Sequence, residues 1–246
     1  MKSKFGTLAV IVVISLAANA CIPFRKSVVI QDSGPAITRE FEVGPFNRIQ
    51  LKGGSIVKLV QGEANALVVE APQGILDQLQ AKVEGDKLII GYKDSTIAFT
   101  TNRDIIFTIT FKNLEEFVLD GGAEIKADKL DLDNLVVDLN GGAKLDFPDF
   151  KANYLKLSLD GGGAVSISGQ VGEQEVKLAG AGAYLTPELQ SNVAMVQLDG
   201  AGVAEVWVKE SLDARLNGLG QISYWGNPQV KQTIAGLGQI EHKGDK

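Results

Sequence analysis

The chain has 246 residues, with 24 Lys and Arg against 30 Asp and Glu side chains and a net charge of −6 at pH 7. Because a nucleic-acid binder needs a basic stripe to neutralise phosphates, this acidic balance excludes DNA and RNA as partners. A single Cys and a single His exclude an intramolecular disulfide and a His-based zinc site, and no cofactor is expected.

The first twenty residues have the layout of a secretory signal peptide. Lys2 and Lys4 precede an apolar run over residues 5–18, which is shorter than a membrane-spanning helix needs. Residues 18–20, Ala-Asn-Ala, fit the small-residue rule for signal peptidase cleavage. We therefore expect an exported protein from which residues 1–20 are removed.

The only thiol of the chain, Cys21, follows this segment directly. In one interpretation Cys21 carries lipid, as in bacterial lipoproteins, which this arrangement resembles, and holds the protein on the outer membrane or cell surface. In the other, the protein is freely secreted with an exposed thiol. Residues 21–40 are predicted as the lipid-attachment Cys and tether, and residues 41–246 as one domain.

From residue 119 onward, a corner motif of the form L-x-G-x-G or L-D-G-G recurs at nearly constant spacing. A degenerate earlier copy contains Gly53 and Gly54. Self-similarity at a fixed period is the signature of stacked repeats. The leading glycines are Gly121, Gly141, Gly161, Gly180, Gly200, Gly218 and Gly236.

Between the glycines, apolar and polar residues alternate with period two, as in Glu124-Ile125-Lys126 and Lys144-Leu145-Asp146. This alternation indicates strands, so each repeat holds at least two of them. The pattern predicts an all-β fold, a parallel β-helix (solenoid) of about ten coils with roughly 18–20 residues per coil. An antiparallel sandwich is the structural alternative.

Each corner has an inward and an outward position. The aliphatic residue two places before each leading glycine should point inward, and the residue one place before it should form an outward ladder of Asp and Asn. Neighbouring Asp and Asn can share hydrogen bonds, which favours a structural role. The alternative is calcium held by Asp120 and Asp160, although the glycine-rich calcium nonapeptide is absent. The ladder contains Asp120, Asn140, Asp160, Asp199 and Asn217.

The candidate ligand platform is the pair Trp207 and Trp225, each at the same place after its glycine in consecutive repeats. Both should face outward and lie about 5 Å apart, where exposed aromatic rings can bind sugar rings or a protein. In the alternative, Trp225 packs under residues 226–233 and merely shields the sheet. No Ser, His and Asp set is available for catalysis, and no catalytic residue is predicted.

The signal peptide with its adjacent Cys21, the segment Phe-Asn-Arg-Ile-Gln-Leu-Lys-Gly-Gly at 46–54 and the run of glycine corners resemble the bacterial auto-transporter adhesin family, head GIN domain. The resemblance covers roughly residues 40–240. It implies a right-handed parallel β-helix shaped like pectin lyases, without their catalytic residues, on the surface of Gram-negative bacteria of the Bacteroidetes type.

These observations predict a non-enzymatic cell-surface adhesin or binding module, tethered to the membrane by its lipid anchor. Its partner would be a glycan or a protein on a host or neighbouring cell. Two alternatives stay open: a polysaccharide-active enzyme on a pectin-lyase-like β-helix, and a self-assembling structural envelope lipoprotein. Because exposed ends of a repeat leave strand edges unpaired, a homo-oligomer is compatible with either binding or assembly.

Overall fold

The computed structural model describes residues 28–32, 34–94 and 97–246, which form fifteen strands and one short helix, α1 (Gln73–Leu76). Strands β1 and β8 form a two-stranded sheet, and the other strands form one thirteen-stranded sheet. The strands are β1 (Val28–Gln31), β2 (Ala36–Phe41), β3 (Arg48–Lys52), β4 (Ile56–Gln61), β5 (Ala66–Pro72), β6 (Leu79–Glu84), β7 (Lys87–Tyr92), β8 (Ile97–Thr100), β9 (Ile106–Phe111), β10 (Glu116–Lys126), β11 (Leu130–Asp131), β12 (Asn134–Leu216), β13 (Leu219–Trp225), β14 (Gln229–Ile234) and β15 (Leu237–Gly244).

The C-terminal part of the sheet pairs each residue with its equivalent one repeat further on. β10 and β12 are parallel, and Gly121 lies opposite Gly141. β12 pairs in parallel with β13, and β13 with β15, so that Leu219 lies opposite Leu237. The glycine corners are therefore in register, as the sequence period predicts.

β12 is one continuous strand of 83 residues, and its successive repeats stack on each other in layers. A Cβ atom at Gly161 would overlap the carbonyl oxygen of Gly141, and one at Gly180 would overlap that of Gly161. The glycines of this column have positive φ, for example +131° at Gly141 and +132° at Gly161. Glycine is required here both for this backbone conformation and for the close approach of the next layer.

The predicted fold class, a right-handed parallel β-helix of about ten coils, is wrong. The thirteen-stranded sheet is mixed rather than uniformly parallel. β5 lies between β2 and β9 and is antiparallel to both, and β6 pairs antiparallel with β7. An unbroken solenoid that begins near residue 46 would need parallel pairs throughout.

The departure lies between β4 and β10, where the corner motif does not occur. Here Gly85, with φ +65°, and Asp86 form a two-residue turn that folds β6 back onto β7, as such turns do in hairpins. As a result, strands that are far apart in the chain become neighbours in the sheet. Arg48 of β3 pairs with Glu116 of β10, although six strands separate the two in chain order.

The core consists of the inward positions of the repeats. The aliphatic residues before the glycines are at most 2% exposed from Leu119 to Leu216, which confirms their inward orientation. Ile234 was expected to join them but is 46% exposed. Its strand, β14, pairs only with β12 in the described part of the chain, so no further layer covers it.

The segment predicted as a tether contributes to the sheet, since β2 begins at Ala36 and pairs with β5. Residues 1–20 and Cys21 lie outside the described residues. Over the ranges that the structure describes, no helix is long and apolar enough to cross a membrane.

Candidate functional site: a tryptophan pair on the last repeats

The two tryptophans lie directly opposite each other on neighbouring strands. Trp207 of β12 pairs with Trp225, the last residue of β13. The neighbours Val206 and Val208 are fully buried, whereas both tryptophans are half-buried. The period-two pattern therefore places the two indoles on the outer face, and the repeat period brings them together.

A cation lies over both rings. The Nζ atom of Lys246 is 5.1 Å from the ring centroid of Trp207 and 5.4 Å from that of Trp225. At such distances the negative faces of the rings attract an ammonium group. The side chain of Lys246 is only 24% exposed, so the rings and their surroundings largely cover it.

Oxygen atoms complete the surroundings of this ammonium group. Lys246 Nζ donates hydrogen bonds to the carbonyl oxygen of Pro187 at 2.6 Å and to Glu188 Oε1 at 2.5 Å. Trp225 Nε1 donates to Glu205 Oε1 at 2.6 Å, which fixes the orientation of that ring. We call Trp207, Trp225, Glu188, Glu205 and Lys246 the tryptophan site.

A buried polar network supports the tryptophan site from inside. Ser191 Oγ donates to the carbonyl oxygen of Trp207 at 3.0 Å, and Thr186 Oγ1 donates to that of Glu205, also at 3.0 Å. Both hydroxyl-bearing residues are at most 1% exposed. The network therefore holds the backbone of two residues whose side chains form the surface site.

The same network continues deeper into the core. Gln174 Nε2 donates to Ser191 Oγ at 2.8 Å, and Tyr184 Oη donates to Gln174 Oε1 at 2.9 Å. Gln174 and Tyr184 are fully buried. Burial raises the pKa of the Tyr184 hydroxyl, so this group stays protonated and remains a donor.

Sequence reasoning identified the tryptophans but missed their partners. Lys246 and Glu188 are far apart in the chain, and no local pattern joins them. Gln174 and Thr186 do give a warning, because each stands at an inward position where most other repeats carry apolar residues, such as Leu155 and Ala194 at the position of Gln174. A polar residue at an inward position is a detectable sign of a buried network.

The Asp and Asn ladder forms hydrogen bonds of the expected kind at two of its steps. Asn140 Nδ2 donates to Asp120 Oδ1 at 3.0 Å, and Asn217 Nδ2 donates to Asp199 Oδ1 at 2.8 Å. Asp120 Oδ2 accepts a further bond from Gln50 Nε2 at 2.8 Å. The bonds from Gln50 and then Asn140 hold the pKa of Asp120 below its usual value. Across the described ranges, no group of three or more His, Cys, Asp and Glu residues could hold a metal ion.

A second surface feature was not foreseen from the sequence. An open cleft of about 550 Å³ lies beside β3, β6 and β7, and its lining includes Lys52, Lys82, Glu84 and Tyr92. Lys82 and Glu84 form an ion pair at 2.6 Å, and burial raises the pKa of Tyr92. The paired charges partly neutralise each other, which leaves the tryptophan site as the better-defined candidate.

The fold and this surface define an all-β repeat protein with aromatic side chains on its outer face. A family model described as "Putative auto-transporter adhesin, head GIN domain" matches residues 45–228. This match spans most of the chain, so the chain belongs to that family, and the resemblance seen in the sequence is confirmed. A comparison with curated proteins finds no match.

Solved structures share the fold. A "putative adhesin" from Bacteroides fragilis is 24% identical, with a TM-score of 0.82 over 87% of this chain and 99% of that chain. With the same coverage, a "putative lipid binding protein" from Parabacteroides distasonis is 20% identical with a TM-score of 0.68. A "putative adhesin" from Parabacteroides merdae is 18% identical with a TM-score of 0.61, again with that coverage.

Proposed function

We propose that this protein is a non-enzymatic, cell-surface adhesin that binds its partner through the tryptophan site. The observation that carries the proposal is the in-register pair of half-buried indoles, Trp207 and Trp225, on the outer face of a rigid frame. Aromatic side chains with one accessible face are the residues that most often dominate the energy of a binding surface. Membership of an adhesin family supports the same role.

Catalysis is less well supported than binding. The members of the tryptophan site are arranged to hold each other, since Glu205 accepts from Trp225 and Glu188 pairs with Lys246. In the open cleft, Lys82 and Glu84 are likewise paired with each other. Neither arrangement presents two free, convergent groups for acid–base chemistry of the kind that glycoside cleavage needs.

The proposed role predicts that adhesion depends on the tryptophans. When Trp207→Ala or Trp225→Ala is introduced, cells that display the full chain should adhere about tenfold or more weakly to protein- or glycan-coated surfaces. The reason is that a few aromatic residues supply most of the binding energy of an interface, and truncation to Ala removes it. The measurement is adhesion at equal surface expression on both kinds of surface.

Ile37→Ala is the matched control, since Ile37 is 39% exposed and lies on β2, which pairs with β5 at the far end of the described sheet. This variant should adhere like the parent chain. If the parent chain adheres to neither surface, the adhesin proposal fails. If it adheres and the tryptophan variants adhere equally well, adhesion resides elsewhere on the molecule.

The proposal includes a lipid anchor on Cys21, which lies outside the described residues. The support is its place directly after the predicted signal peptide, together with the family's surface role. We expect Cys21→Ser to move the protein from the membrane fraction to the soluble fraction on cell fractionation, because the lipid is the proposed membrane contact. A Cys21→Ser protein that stays with the membrane would contradict this anchor.

A further inference from the structure

We infer that the tryptophan site is a receptor for the ammonium group of a lysine side chain on a protein partner, and that Lys246 is its intramolecular occupant. This inference rests on the proposed function and names the chemistry of its ligand. It is drawn from what the site already holds, a primary ammonium group.

The geometry and hydrogen-bonding groups of the site fit an ammonium group. The nitrogen of Lys246 lies within 5.4 Å of two ring centroids, so both indoles share one cation. An ammonium group has three hydrogen-bond donors and no acceptor. Two of these donors are used by Glu188 and by the carbonyl oxygen of Pro187. Paired aromatic faces together with oxygen acceptors are the recurring means of recognising ammonium ligands.

The charge of the site also favours a cationic ligand. Glu188 and Glu205 carry two negative charges, and Lys246 supplies one positive charge, which leaves a formal charge of −1 for the three groups. Without Lys246 the formal charge becomes −2, which strengthens the attraction for another cation. Glu188 is 66% exposed, so an incoming side chain can reach it from solvent.

The same contacts favour a lysine over a neutral sugar as the ligand. A sugar ring would have to take the ring faces that the Lys246 ammonium now occupies. It would also leave the Glu188 carboxylate without its counter-charge, whereas a lysine from a partner replaces both interactions. The observed contacts therefore favour a cationic protein surface over a glycan.

Lys246 also competes with the lysine of a partner for the same site and so weakens its binding. A tethered side chain acts at an effective concentration in the millimolar range, so it competes with any free lysine. Binding to a site that is mostly occupied is weakened by the fraction that is free. Removing the Lys246 ammonium should therefore strengthen binding of an external lysine by about tenfold or more.

The test uses the full chain and the peptide acetyl-Gly-Lys-Gly-amide, with the same peptide acetylated at the lysine nitrogen as the neutral control. Because the chain has only two Trp residues, their two indole N–H resonances in NMR spectra report directly on the site. Addition of the lysine peptide should shift both resonances in a saturable way. The dissociation constant obtained from these shifts should be about tenfold lower for Lys246→Met than for the parent chain.

Two further variants change exposed carboxylates, so a difference in peptide binding between them does not arise from misfolding. Glu188→Gln in the Lys246→Met background should weaken peptide binding, because it removes the negative charge of an exposed carboxylate without disturbing the core. Glu63→Gln, an exposed carboxylate on another part of the chain, is the matched control and should leave binding unchanged. Equal shifts by both peptides, or no saturable shift in Lys246→Met, would overturn the inference.

The adhesion measurement separates this inference from the proposed function. Suppose that adhesion depends on the tryptophans, that an excess of the lysine peptide does not inhibit it, and that the peptide does not shift the indole N–H resonances. This result rejects the lysine ligand and leaves the adhesin role intact. Failure of the parent chain to adhere to any surface rejects the adhesin role, whatever the peptide does.

Discussion

Gly141→Ala is expected to lower the free energy of unfolding by about 3 kcal/mol, the sum of a positive-φ penalty and the cost of overpacking. Gly141 has φ +131°, a conformation that residues with a Cβ rarely adopt. Its new methyl group would overlap the carbonyl oxygen of Gly121 in the preceding layer. Chemical denaturation should show this loss, and thermal unfolding a decrease of roughly 6–12 °C in Tm for a chain of this size.

The adjacent glycine provides the control. A Cβ atom at Gly142 would meet nothing within 4 Å, and Gly142 does not have positive φ. Gly142→Ala should therefore change the stability by no more than about 0.5 kcal/mol. Equal losses for the two variants would mean that the in-register column is not what makes Gly141 necessary.

The second large effect is expected from Gln174→Leu, which should cost about 2 kcal/mol of stability, because a buried polar group left without a hydrogen-bond partner costs roughly 1–3 kcal/mol. The change removes the acceptor of the buried Tyr184 Oη, whereas Ser191 Oγ loses one donor but keeps its bond to the carbonyl oxygen of Trp207. Urea denaturation of the variant and the parent chain measures the difference.

A second substitution identifies the cause. Adding Tyr184→Phe to Gln174→Leu removes the orphaned hydroxyl and should recover about 1 kcal/mol or more. Gln170→Leu, at an exposed position shortly before it, should be close to neutral. If the double variant is as unstable as the two single changes added together, the loss arises from packing and not from hydrogen bonding.

The repeat region was predictable because its signals are local. The period of the glycines, the inward Leu residues and the outward Asp and Asn ladder follow from residues one repeat apart, and the structure places them accordingly. The same arithmetic predicted that Trp207 and Trp225 would be neighbours. Each of these features depends only on the contact between one layer and the next.

The N-terminal part was predicted wrongly because one period was extended to a segment that lacks it. Gly85-Asp86, between β6 and β7, is a hairpin signal in its own right, and a period extended from the later repeats takes no account of it. The pairing of β3 with β10 joins segments that are distant in the chain, and no local pattern specifies it.

The unpredicted parts of the tryptophan site have a different cause. Lys246 reaches the rings after a register shift between Tyr224 and Trp225 relative to β15, which no repeat period includes. An irregularity of this kind has no sequence signature of its own. Gln174 differs, because it stands at the inward position that Leu155 and Ala194 occupy in the neighbouring repeats, so the period predicts its orientation although not its hydrogen-bond partners.

At the glycine corner, successive layers touch through main-chain atoms alone, so their separation is independent of the side chains displayed beside them. One outward column illustrates this independence, since Ala201, Leu219 and Leu237 occupy equivalent places in register. Leu219 is 55% and Leu237 80% exposed. Exchanging the displayed residues should therefore leave the spacing of the layers unchanged.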